Sequence, residues 1–490
     1  MRAPIAQVAI VIAVLAAPAA ASAQQPGIPP LPIPGDPLAG GIDELSGERA
    51  DPRPVRAPRV PRHPYMAPNG RSNLHNNAYM TDVYRGLDGP LGRETSTGSA
   101  LFTRECGSVT FDSDDRIVTI CVGLDRPVLA LLDPRTLEVL ARMELPPRNV
   151  GGDPFTDFSG GGYFYLDHRD GAVVPTTSRH VLVVGQTSQA GFTAEADHDL
   201  TGVVPGGDAI ISVLPDWGGR IWFATRAGRV GWIDQGGGVV SRPLGEPIGN
   251  SFAVDRRGVF IVTDAALYRF EAEAGEVRTI WRGPYENIGT RKPGQTQAGS
   301  GTTPTLMGRR YVAITDNSDP MRIVVYKRRR RVEGKRRVCR EPVFEPGASA
   351  TDQSLIGTRR SMVVENNFGY SGITATSNGA TTSPGLTRVA IDRDGRGCHT
   401  VWESEETAPS VVAKLAAGSG LVFTYTKPRM PSGDDAWFLT AIDYRTGRTV
   451  YRRLAGAGLG YNNNFAPVTI GPDDTAYVGV LGGITRFEDR

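Results

Sequence analysis

From about residue 95 onward the chain repeats one pattern: a short apolar strand, a polar or glycine turn, then a second apolar strand. The turns fall at "DSDD" (112–115), "HRDG" (168–171), "GG" (218–219), "RRG" (256–258), "GRR" (308–310), "GTRR" (357–360), "AGSG" (417–420) and "GPDD" (471–474). They are spaced by about 39 to 60 residues, the length of a four-stranded propeller blade. The fourth unit shows all four strands: "NSFAVD", "GVFIVT", "ALYRFEA" and "VRTIWR". One such sheet alone leaves apolar faces in water, whereas a ring of them buries each face against its neighbours. The pattern predicts an all-β fold: a single β-propeller over 65–490 with eight four-stranded blades, seven being the nearest alternative count. A pair of β-sandwiches has no need of eight like hairpins. The last unit, "FAPVTI", "TAYVGV" and "GITRFED", has three strands before Arg490. Its missing fourth strand is expected from "NAYMTDVY" or "SALFTRE", so that the two ends of the chain close the ring.

The N-terminal region differs in kind. Arg2, the apolar run Ile5–Ala17 and the small-residue site Ala21-Ser22-Ala23 read as a signal peptide over 1–23, so the mature chain is expected to be exported. The run is short for a membrane span and no second one follows. Residues 24–64 hold 11 prolines in 41 positions, a composition that favours extended polyproline geometry and predicts a disordered or semi-rigid tether. Four cysteines in an exported chain point to disulfides. Cys106 and Cys121 flank the first hairpin and face each other across it, which leaves Cys339 and Cys398 as the second pair. The formal net charge of +2 selects no partner by global field. The basic stretch "KRRRRVEGKRR" (327–337) has little aromatic material interleaved, so no nucleic-acid surface is expected, and a solvated edge is the simpler reading.

Several blades resemble known propellers. "AIDYRTGRTVY" (441–451) resembles the A-x-D-x-x-T-G-x-x-x-W docking motif of the quinoprotein superfamily, through Ala441, Asp443, Thr446 and Gly447, with Tyr451 at the tryptophan position. "LLDPRTLEVL" keeps Asp133 and Thr136, and "VAIDRDGRGCHTVW" keeps Ala390, Asp392, Gly395 and a displaced Trp402. In that family the motif locks neighbouring blades, so the resemblance implies a fold. The adjacent cysteine pair of quinoprotein dehydrogenases is missing here, which argues against pyrroloquinoline quinone as cofactor. "PIGNSFAVDRRGVFIVT" (247–263) is similar to one blade of gluconolactonase-type and NHL-type propellers.

Candidate chemistry gathers where second strands end. Asp264, then Asp316 and Asn317, then Glu365, Asn366 and Asn367 recur at one position in three successive blades. Carboxylates and amides are hard oxygen donors suited to Ca²⁺. Gluconolactonase-type propellers hold such an ion in the channel, and that resemblance implies Asn250 and Glu365 as ligands; the recurring strand ends add Asp316, Asn317 and Asn366 to the candidate set. The competing reading is that Asp and Asn end strands because their side chains bond the turn backbone. "EADHDL" (195–200) places His198 between carboxylates just ahead of the third blade, and "NLHNNAYM" offers His75; each is a candidate for moving protons. No G-x-S-x-G is present. The expectation is a monomeric propeller that binds a small molecule, glycan or protein at one rim of its channel, with Ca²⁺ as the cofactor in view. A metal-dependent hydrolase of lactonase or esterase type is the alternative, and a quinoprotein-like oxidoreductase stands third.

Overall fold

The computed structural model describes residues 29–124, 126–148, 153–157, 159–188 and 191–490. The expected signal peptide lies outside them. Eight antiparallel sheets follow one another around a ring, and each contains a meander of four strands. We number the blades I to VIII. Their inner strands are Glu105–Phe111, Tyr165–Leu166, Ile210–Pro215, Ala253–Asp255, Thr305–Met307, Ile356–Gly357, Lys414–Ala416 and Val468–Ile470. All eight predicted turns join an inner strand to the second strand of the same blade. The first four start with an aspartate whose Oδ1 accepts backbone N–H groups of the turn: Asp112, Asp167, Asp216 and Asp255. This local bond fixes the reversal and leaves the flanking β-branched residues to pack.

Blade VIII is closed by Ser96–Leu101, which pairs antiparallel with the final strand Gly483–Glu488. The closing strand thus comes from the "SALFTRE" side of the two expected sources. Blade-to-blade locking is visible at Trp402, on the outer strand of blade VI. Its indole Nε1 donates to the Tyr444 carbonyl of blade VII at 2.8 Å, and its ring covers Gly447, where a Cβ would meet ring carbons at 2.7 Å. Gly447 has φ +75, so glycine answers both the turn and the close approach. The docking-motif resemblance therefore gave the right contact, with the tryptophan supplied by the preceding blade.

Both disulfides are formed. Cys106–Cys121 spans the first hairpin with a Cα–Cα distance of 3.9 Å, and Cys339–Cys398 ties the outer strands of blades V and VI at 5.7 Å. Among the described residues, no helix is long and apolar enough to cross a membrane.

Two expectations are corrected. The proline-rich region does not hang free over its described part. From residue 29 it lies along the ring: Leu45–Gly47 adds an outer strand to blade VII, and Arg53 and Val55 bond the Ser419 and Ala417 carbonyls. Extended polyproline geometry leaves backbone groups available, and the ring supplies their partners. The basic loop 327–337 is not merely a solvated edge. Arg328 is buried, pairs with Asp255 of blade IV at 2.7 Å and lies over the Tyr79 ring, while Arg336 lies over Trp281.

"NAYMTDVY" has a different job. Residues 66–84 enter the channel from the face carrying the eight turns and wind around its inside. Backbone carbonyls of Arg71, Ser72, Ala78, Tyr79, Thr81 and Asp82 accept in turn from Phe111, Leu166, Val254, Leu306, Gly357 and Leu415. Those partners lie on the inner strands of blades I, II, IV, V, VI and VII. Val83–Tyr84 then pairs parallel with blade VII. Asn76, Met80 and Asp82 take φ of +62, +52 and +55, and these left-handed residues allow the tight winding. The segment is a belt that fills the turn end of the channel.

Candidate functional site

The belt carries charge onto the axis. Asp82, His75, Lys414 and Glu365 are all buried there. Lys414 stands at the start of the blade VII inner strand and donates to Asp82 and to the Leu74 carbonyl. His75 Nδ1 lies 3.1 Å from both Asp82 oxygens, and its Nε2 lies 3.4 Å from Ser354 Oγ. Lys414 and His75 outweigh the cost of burial and hold Asp82 below the usual carboxylate range. An ionised Asp82 fixes the proton of His75 on Nδ1 and leaves Nε2 as an acceptor toward Ser354. Burial pushes His75 below its ordinary value, so the ring is neutral near pH 7. Glu365 behaves in the opposite way. Burial pushes it well above 4.5, and the Asp82 charge adds to the rise. Its Oε2 lies 3.5 Å from Thr424 Oγ1, and its Oε1 has no partner.

Toward the crossover face, where the chain passes between blades, the channel opens into a recess. Its volume is about 90 Å³. His75 and Leu74 of the belt form part of its lining, as do Ile120, Phe155, Val412 and Phe465. Ser354, Asp352 and Glu105 supply polar groups. Asp352 Oδ2 accepts from Thr296 Oγ1 at 2.6 Å and from its backbone N at 3.2 Å. Desolvation nevertheless pushes this carboxyl to about 7. Glu105 is half-buried at the recess wall and accepts from Asn464 at 3.2 Å; removal from bulk water pushes it to about 8. Among the described residues that line the recess, Asp352 Oδ1 is the buried side-chain polar atom without a hydrogen-bond partner.

Several members of the predicted ligand set bond groups of their own loops. Asn366 spends its side chain on Ala350 N–H and on the Ala348 and Pro384 carbonyls. Asn317 donates to Asn287 and to the Thr290 carbonyl. Asp316 accepts from Ser318 and from Arg322 N–H, and Asn250 accepts from Tyr163 OH at 2.8 Å. Among the described residues, no three His, Cys, Asp or Glu side chains are grouped to hold an ion. Asn250 and Asn366 are engaged by the loops they brace, whereas Asp316 Oδ2, Asn317 Oδ1 and Glu365 Oε1 are buried without a hydrogen-bond partner. Of the two histidines, His75 reaches the channel. His198 lies on the outer strand Phe192–Asp199 of blade II, opposite Val181, at the periphery of the ring. "EADHDL" ends that blade, and its placement at the channel rim is corrected. Asp82, Ser354 and Lys414 were missed. Lys414 had a readable signal: it is one of five lysines and sits inside the apolar run "VVAKLAA".

No family model matches the chain. An uncharacterised protein of Archaeoglobus fulgidus is 28% identical over 316 residues, which cover 57% of this chain. The chain spans 61% of that relative's length. Among solved structures, BamB from Moraxella catarrhalis is similar at 13% identity and a TM-score of 0.40, over 65% of this chain and 93% of that one. A streptogramin B lyase matches at 10% and 0.40, over 81% and 98%. A functionally unknown protein from Desulfotomaculum acetoxidans matches at 12% and 0.37, over 68% and 95%. At these identities and scores the likenesses say nothing of chemistry.

Proposed function

We propose that this is an exported propeller that binds a small, uncharged organic molecule in the crossover-face recess. The carrying observation is Asp352: a buried carboxyl with one oxygen unpartnered, set in a largely apolar wall that ends on the belt. Apolar recesses with a few converging polar groups are the usual form of small-molecule sites. Near pH 7 a carboxyl titrating at about 7 is substantially protonated, and in that form it donates to a ligand carbonyl or hydroxyl. A concave pocket of this size favours a small molecule over a protein or an extended glycan. The two disulfides are consistent with export.

Saturation-transfer NMR with a panel of neutral esters, lactones, amides and simple sugars tests the reading. Ala466 lines the recess, and Ala466→Phe would fill it. Ligands of the wild type should lose their signal in this variant and should bind less tightly at pH 9 than at pH 6. Binding that ignores Ala466→Phe, or a wild type that binds nothing in the panel, would sink it.

A further inference from the structure

We infer that Ser354, His75 and Asp82 form a nucleophile–base–orienter relay at the inner end of the recess, and that its substrate class is the carboxylic ester or lactone. The inference rests on the recess as a ligand site and adds a reaction to it. Two segments distant in sequence bring the groups together: the belt carries His75 and Asp82, and the lead into blade VI carries Ser354. The order Oγ–Nε2 at 3.4 Å and Nδ1–carboxylate at 3.1 Å is the geometry such relays share across unrelated folds, and the first contact is commonly loose without substrate. Both Ser354 and His75 line the recess. Lys414 faces the relay from blade VII and Glu365 from blade VI. Lys414 is a positioning residue, because it holds Asp82 and, through the Leu74 carbonyl, the backbone that leads into His75.

In the reaction, Ser354 Oγ bonds to the acyl carbon while its proton passes to His75 Nε2. The adduct collapses by breaking the acyl C–O bond, and the departing alkoxide takes that proton and leaves as the alcohol. Water then bonds to the acyl carbon and gives a proton to His75. The bond to Ser354 Oγ breaks, and the serine recovers the proton. Ester and water become acid and alcohol, with nothing oxidised or reduced. Asp352 lies two residues from Ser354 in the same wall, and its protonated carboxyl is placed to donate to the acyl oxygen.

The test treats the mature protein with a fluorophosphonate and locates the adduct by mass spectrometry of the tryptic peptide 341–359. One adduct at Ser354 is expected. It should be absent in Ser354→Ala and form at least about 100-fold more slowly in His75→Gln. The rate should fall in acid with a midpoint below the ordinary histidine value of 6.5, because burial lowers the titration of His75. A merely structural cluster would show neither the adduct nor this profile. A folded wild type without an adduct at Ser354 overturns the inference, as does an adduct rate indifferent to His75→Gln. If His75→Gln does not fold, the position of the adduct and its pH profile decide. Ligands that bind by NMR and depend on Ala466, without any adduct, leave the recess standing and remove only the relay.

Discussion

The two ends of the channel are built from the same eight inner strands and treat polarity in opposite ways. At the turn end the belt gives its carbonyls to six blades, and Asp82 is paired with Lys414 and His75. At the crossover end Asp352 and Glu105 face a recess, accept one or two bonds each and have no ion pair among the described residues. Asp82 is compensated at the closed end, whereas Asp352 and Glu105 are left without an ion pair at the open end. A buried charge needs a partner to survive, whereas a buried carboxyl without one keeps its proton. The closed end therefore spends its polar groups on stability, and the open end keeps them for a ligand.

Mutations at the two ends should separate most widely at Asp82. Asp82→Ala strands Lys414 as an unpaired buried cation and should cost about 3–5 kcal/mol in denaturant unfolding. A loss below about 1 kcal/mol would break the contrast. Tyr79→Ala comes next. Its ring is buried in the belt beneath Arg328, 4.7 Å from the guanidinium, and its loss should cost about 2–4 kcal/mol. Glu365→Gln should cost far less than Asp82→Ala, because burial pushes the native carboxyl well above 4.5 toward the neutral form that the amide imitates. Two carboxyls in one cluster are thus expected to answer neutralisation in opposite ways.

The pH response sharpens the same comparison. Glu105 titrates at about 8 in the folded chain against 4.5 in an unfolded one. The folded state binds the extra proton between these values, so stability falls as pH rises from about 4.5 to 8. Asp82 is depressed, and its contribution is lost as pH falls through its folded value. Glu105 at the open end weakens the fold in base and Asp82 at the closed end weakens it in acid. Glu105→Gln should raise the melting temperature at pH 8.5 and leave it unchanged at pH 4. The smallest effect is expected from chelation: EDTA should leave the melting temperature of the dialysed protein unchanged, and a drop of several degrees would restore an ion to the structure.

The ring was legible because its signals are local. An aspartate or glycine at a turn, flanked by β-branched residues, declares a hairpin without help from the rest of the chain, and eight repeats leave few ways to bury them. Trp402 and Gly447 were readable through a motif for the same reason. The belt has no such signal. "SNLHNNAYMTDVY" lacks any period, and its backbone bonds to the inner strands reach residues about 90 to more than 300 positions away. His75 could be singled out as a residue type, but its partners could not. Asp82 reads as one more loop aspartate until the channel surrounds it. Asn366 was legible as a residue type, but its bonds to the Ala348 and Pro384 carbonyls were not.

The belt precedes every blade in the chain, and the strand that completes blade VIII precedes blade I. No loop has to be threaded through a finished ring. Successive sheets can assemble about a cord that is already in place, and the circle shuts only when the last strand, Gly483–Glu488, meets Ser96–Leu101. A chain truncated before residue 483 would therefore keep its axle and seven wheel segments while lacking the clasp.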